Sequence, residues 1–249
     1  MVRLITVNGS WRAFSIHRTL EVKMIRNHCK VWVALSLSIL LYISACCQAQ
    51  STSRPEVVEW AWAVRPSQVD HQLPNVLLVG DSITRNYFPE VQRELSGRAN
   101  VYLFAASTSL GDSRLDIQLN EFAALEGVKF SVIHFNNGMH GWSYTEKEYA
   151  AFFPSYVATL RKIASGAHLI WASTTPVKKD DPLGPSNKRI KARNAEALQI
   201  VHHDLIAFDD QYTLMLRYPN LYLDDIHFNP GGSSLQGRQV VSTIEKYLK

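Results

Sequence analysis

Five short apolar runs, each separated from the next by a stretch patterned for a helix, constrain this 249-residue chain more than any other feature. The runs are "VLLVG" (76–80), "VYLFA" (101–105), "FSVIHF" (130–135), "HLIWAST" (168–174) and "LIAFDD" (205–210). They are too short for helices and lack the in/out alternation of a sheet wetted on one face, so they read as strands buried on both sides. Helical stretches fall between and after them: "NYFPEVQREL", ending at Gly97; "LDIQLNEFAAL", with Leu115, Leu119, Phe122 and Leu125 apolar; "EKEYAAFFPSYVATLRKIA", interrupted near Pro154; "SNKRIKARNAEALQIVHH"; and "SSLQGRQVVSTIEKYL". Strand and helix in alternation predict a three-layer α/β/α sandwich around a five-stranded, mainly parallel sheet. A ligand site in such a sheet lies beyond the carboxyl ends of the strands, so residues just after each run are the ones to inspect.

The chain ahead of this pattern reads as a leader (residues 1–49) and then a linker and N-terminal extension (residues 50–73). From Met24, a basic start precedes the 13-residue apolar run "VWVALSLSILLYI". About 20 residues are needed to span a bilayer, so the run suits the core of a signal peptide. "ISAC" (43–46) resembles a bacterial lipobox with Cys46 as the lipidated residue, and cleavage after Ala49 by ordinary signal peptidase is the alternative. Either makes the protein exported: periplasmic, extracellular, or lipid-anchored at a membrane surface. Residues 1–23 precede a signal that already starts at Met24, as an over-long translation start would.

The net charge of +4 originates in this leader, which holds Arg3, Arg12, Arg18, Lys23, Arg26 and Lys30 against Glu21. That leaves 20 of the 26 Lys and Arg against 21 of the 22 Asp and Glu, a near-neutral domain with no basic surface for nucleic acid. All three cysteines (Cys29, Cys46, Cys47) also lie in the leader, so the rest of the chain has no disulfide, zinc-thiolate site or cysteine nucleophile.

After the first run comes Gly80-Asp81-Ser82-Ile83-Thr84. A serine at a helix start sits among unbonded N–H groups and positive dipole potential, which suits a nucleophile whose transition state becomes an oxyanion. Read alone, Ser82 is equally a helix cap. Near the other end, "YLDDIHFNPGG" holds Asp224 and His227 three apart, a spacing that lets a carboxylate hold one imidazole nitrogen while the other faces a hydroxyl. Alone, that too is an ordinary turn. Asp225 has the wrong spacing and is expected to be solvated.

"GDSIT" after the first strand and "DDIH" before the last helix, about 145 residues apart, together resemble the SGNH hydrolase superfamily, or GDSL-type esterases, over residues 74–249. The resemblance implies Ser82 as nucleophile, His227 as general base and Asp224 as the residue that orients it, with no metal or cofactor. It further implies an oxyanion hole of the Ser82 N–H, the Gly111 N–H in "AASTSLGDSRL", and an asparagine after the third strand. The third block departs from the usual Gly-x-Asn-Asp. "VIHFNNGMHGW" looks more like the Asn-x-Gly variant of some polysaccharide O-acetyl esterases, which puts the donor on Asn136, with Asn137 as the alternative.

The expected activity is a serine esterase acting on a small-molecule or carbohydrate ester, the acyl group being short and the first choice acetyl on a sugar. Alternatives on the same fold are an acyltransferase, a lipase or thioesterase, and a non-hydrolytic carbohydrate-binding protein. Other residues have plainer readings: His140 and Trp142 as pocket lining or local packing, and His134 as a satisfied sheet residue. Thr174, Thr175 and Pro176 shape the edge, Lys178 to Asp181 form a solvated loop, and "KRIKAR" (188–193) is the exposed face of a helix.

Overall fold

The computed structural model describes residues 53–248, within a compact unit spanning Ser51–Lys249. The leader, with its signal, Cys46 and start-site readings, lies outside the described residues. The strands are β1 (Ala61–Val64), β2 (Asn75–Gly80), β3 (Asn100–Ala106), β4 (Phe130–Phe135), β5 (His168–Ala172) and β6 (Ala207–Asp209). The helices are α1 (Ser82–Glu94), α2 (Arg114–Glu126), α3 (Glu146–Ile163), α4 (Asn187–His203), α5 (Gln211–Leu216) and α6 (Pro230–Ile244).

The strands form one sheet in the order β1-β3-β2-β4-β5-β6. The five expected strands are parallel, and β1 adds a sixth at the edge, antiparallel to β3 with Ala61 opposite Ala106. This strand comes from the stretch read as an extension. The apolar run Trp60–Val64 does precede the five others, but it follows the mixed polar stretch read as a linker and, as an edge strand, it is largely exposed, with Trp62 51% exposed. The order reverses at β2, whose neighbours β3 and β4 both follow it in the chain. Crevices form at such switch points, and Ser82 is the second residue after β2.

Alternate residues of the strands enter two cores. Leu77, Val79, Tyr102 and Phe104 face α2, α3 and α4 through Leu119, Phe153, Val157 and Ala197. Val76, Leu78, Val101 and Leu103 face the other way, against Ile83, Tyr87, Val91 and Val240 of α1 and α6. Both faces are covered, as continuous apolar strands require.

Three local expectations change. The α3 helix runs unbroken through Pro154. Pro154 lies on the solvent face, where the carbonyl it leaves unbonded can be hydrated, and Phe153, Tyr156 and Val157 anchor the turn in the core. In α2, Leu115, Leu119 and Phe122 are buried but Leu125 is 69% exposed. At about 100° per residue, Leu125 lies roughly 120° round the helix from Leu119. Finally, Arg193 is not on an exposed face. It shares the buried stripe of α4 with Ile190, Ala197 and Val201, and is only 1% exposed.

Phe153 is fully buried and packs edge-on against Trp171 and Tyr156. Phe153→Ala should lower the unfolding free energy in urea by about 3–5 kcal/mol. A loss under about 1 kcal/mol would mean that this core is not packed as described.

Candidate active site

In the turn after β2 the helix cap is the residue before the serine. Asp81 caps α1, its buried carboxylate accepting from the Ile83 N–H at 2.9 Å, and Ser82 is the first helical residue. Ser82 Oγ lies 2.8 Å from His227 Nε2. His227 Nδ1 in turn lies 2.8 Å from Asp224 Oδ2.

A tight turn brings Asp224 and His227 together. The Leu223 N–H donates to the His227 carbonyl at 2.8 Å, and Tyr222 pairs with Phe228 across the turn, their rings 4.5 Å apart. Asp224 Oδ1 accepts from the backbone N–H groups of Ile226 and His227, at 2.8 and 2.6 Å. Desolvation works to raise the Asp224 pKa. The two backbone donors and the imidazole outweigh it and hold the carboxyl at about 2, so it is a carboxylate at neutral pH. Asp225 is exposed, with its carbonyl accepting from the Lys178 N–H.

Ser82 and His227 open into a cleft of about 500 Å³. Its walls come from the loop after β4 (Met139, His140, Trp142), from Leu183 to Pro185, and from Pro55 to Val57. The last of these belongs to the segment read as a linker, which is instead pinned to the sheet edge. Arg54 pairs with Glu148 at 2.8 Å, Glu56 bonds His140 Nδ1 and the Gly141 N–H, and just after β3 the Trp60 N–H donates to Ser107 Oγ while the Trp60 carbonyl accepts from the Ser107 N–H. Polar "STSRPE" gives no sign of this, because its partners are distant in the chain.

The loop after β4 is held from behind by Arg193. Its guanidinium donates to the carbonyls of Gly138, His140, Gly141 and Tyr144 and lies 3.9 Å from the Trp142 ring centroid. Burial lowers its pKa to about 10, which leaves it charged at neutral pH.

The expected oxyanion donors are placed less uniformly. Gly111 is buried, its carbonyl accepting from the Tyr144 hydroxyl. It is not there for a left-handed backbone: the Tyr144 ring would lie 2.5 Å from a Cβ at this position, so close packing requires the glycine. Asn136 is buried and spends both amide hydrogens inside the protein. Its Nδ2 donates to the Ala172 carbonyl at 2.6 Å and to Thr174 Oγ1 at 3.1 Å. Turning the amide over would set its oxygen against the Ala172 carbonyl, so this orientation is fixed. The Asn136 side chain thus ties the end of β4 to the end of β5, with both amide hydrogens engaged. Asn137 Nδ2 donates to the Thr108 carbonyl at 2.9 Å, which uses one of its two hydrogens.

His134 is buried in β4 with Nε2 2.9 Å from Asp209 Oδ2, and neither residue lines the cleft. Thr174 and Thr175 are buried and line a small cavity beside Asp81. Asn136→Ala would strand the Ala172 carbonyl. It should lower stability by about 1–3 kcal/mol in urea unfolding; an unchanged transition would contradict the structural role.

No family model and no curated protein matches the sequence. Solved structures do match it in fold. A lipase/acylhydrolase from Enterococcus faecalis superposes with a TM-score of 0.57 at 20% identity, covering 71% of this chain and 98% of that one. A member of the lipolytic G-D-S-L family from Veillonella parvula gives 0.56 at 15% identity, over 69% and 98%. An acetyl xylan esterase gives 0.54 at 14% identity, over 68% and 99%. The mostly parallel sheet, covered by helices on both sides and with its crevice at β2, is the fold of the GDSL-type, or SGNH, hydrolases.

Proposed function

We propose that this protein is a serine ester hydrolase in which Ser82 is the nucleophile, His227 the general base and Asp224 the residue that orients it and stabilises the imidazolium formed in the reaction. The observation that carries the reading is the unbroken row Asp224 Oδ2, His227 Nδ1, His227 Nε2, Ser82 Oγ, with both contacts at 2.8 Å. Asp224 fixes the imidazole with its hydrogen on Nδ1, which leaves Nε2 bare to accept the serine proton.

Ser82 Oγ attacks the ester carbonyl carbon as its proton passes to His227 Nε2. The carbonyl oxygen takes the negative charge. The Ser82 N–H, at the start of α1 where helical N–H groups have no intrahelical partner, and the Gly111 N–H act as its donors. Asn137 takes the side-chain place, using the amide hydrogen that Thr108 does not engage. The intermediate then collapses, His227 protonates the departing alcohol, and water activated by His227 releases the acyl group from Ser82.

The substrate is a short-chain ester, with acetyl on a carbohydrate the first choice. Two observations support this: the open cleft mixes aromatic, apolar and polar walls, and one protein of the same fold is an acetyl xylan esterase. Export, with or without a lipid on Cys46, is part of the proposal. It would place the enzyme where polymeric sugars are met.

Release of p-nitrophenol from p-nitrophenyl acetate tests the assignment. Ser82→Ala should lower kcat by on the order of 10³-fold or more, and Asp224→Ala should cost far more than Asp225→Ala. Equal losses at Asp224 and Asp225 would overturn the orienting role, and turnover independent of Ser82 would overturn the mechanism.

A further inference from the structure

A second histidine lines the same cleft. His140 lies in the loop clamped by Arg193 and forms the wall together with Met139 and Trp142. Its Nδ1 is 3.0 Å from Glu56 Oε2, and the other oxygen of Glu56 accepts the Gly141 N–H at 3.1 Å. The carboxylate therefore holds the ring and its backbone together. The ring also packs edge-on against Trp60, with centroids 6.0 Å apart. His140 Nε2 is shielded from water and has no hydrogen-bond partner among the described residues.

A polar nitrogen sealed from water without a partner is costly. An ester oxygen that enters the cleft and displaces the atoms covering Nε2 can recover that cost. We propose that His140 is a substrate-binding residue whose Nε2–H donates a hydrogen bond to an oxygen of the bound ester, with Glu56 as the positioning residue that makes this donor available. This rests on the esterase reading and deepens it.

The charge state follows from the geometry. With Nδ1–H committed to Glu56, a neutral His140 would have a bare Nε2 and nothing to donate, so the donor exists only in the imidazolium. Desolvation works to lower the His140 pKa. The Glu56 carboxylate and the charges of Asp81 and Glu59 outweigh it, leaving the pKa raised. Glu56 is itself lowered, its burial offset by His140 and by the Gly141 N–H, as expected of an ion pair. The cations nearby are Arg193, bonded to the His140 carbonyl, and Arg85, stacked on Trp60. Because the His140 pKa is raised, the donor is present at lower pH and lost as pH rises through that value.

The test is kcat/KM against pH for p-nitrophenyl acetate, with wild type and Ser82→Ala measured first. His140→Phe should lower kcat/KM by about 10- to 100-fold, since it removes a charged donor. His140→Gln places an amide N–H near the position of Nε2, so it should recover much of that loss and abolish the alkaline decline. Glu56→Gln should move the alkaline limb to lower pH and leave the acid limb, where His227 must be unprotonated, in place. A merely structural role for the pair would lower thermal stability without moving either limb. Ser82-dependent turnover with an unshifted alkaline limb in Glu56→Gln, or with His140→Phe as active as wild type, overturns this inference alone. Absence of Ser82-dependent turnover overturns the esterase reading and this inference with it.

Discussion

Gly237 of α6 lies so close to α1 that a Cβ there would be 2.7 Å from Glu90 Cβ and 3.1 Å from the Tyr87 carbonyl. This close approach fixes the distance between two elements that the chain keeps far apart. The α1 helix starts with Ser82, and α6 follows directly on the turn that holds Asp224 and His227. Val240 and Val241 of α6 pack in the same core as Ile83, Tyr87 and Val91 of α1. The 2.8 Å contact from Ser82 Oγ to His227 Nε2 is thus set by helix packing beneath the site as much as by the two side chains themselves.

The opposite wall is built by other means. The loop after β4 is irregular, and four of its carbonyls converge on Arg193 from α4. A buried guanidinium offers five donors in a fixed plane and remains charged, so it can organise several carbonyls at once. In front of the loop, Glu56 bonds His140 and Gly141, while Ser53 and Arg54 reach Asp112 and Glu148. The segment before β1 thereby becomes part of the cleft. Segments far apart in the chain, Pro55 to Val57 and Ile226 with His227, line the one cleft that opens beside Ser82.

Much of this was legible in the sequence because its physics is local or periodic. The five parallel strands were continuous apolar runs, and the pairing of "GDSIT" with "DDIH" marked the side chains that the fold brings together. What escaped was non-local. The β1 strand is an apolar run, Trp60 to Val64, but it lies exposed at the sheet edge and pairs antiparallel, outside the strand-helix alternation. Arg193 looked like one cation among several in "KRIKAR", yet its i+3 spacing from Ile190 and i−4 spacing from Ala197 place it on the buried stripe, a signal that charge alone obscures. Asn136 and Asn137 are adjacent in an identical composition, and only the carbonyls around them, from Ala172 and Thr108, separate a tie between strands from a side chain with an amide hydrogen to spare.

The central claim is that His227 and Asp224 make Ser82 a nucleophile. Diisopropyl fluorophosphate tests it without knowledge of the natural ester, because an activated serine displaces fluoride and retains the phosphoryl group. Intact-mass and peptide mass spectrometry of the treated protein should show one diisopropylphosphoryl group, on Ser82, and none in His227→Ala under the same conditions. An unlabelled Ser82 in the folded wild-type protein, or equal labelling in His227→Ala, would contradict the account.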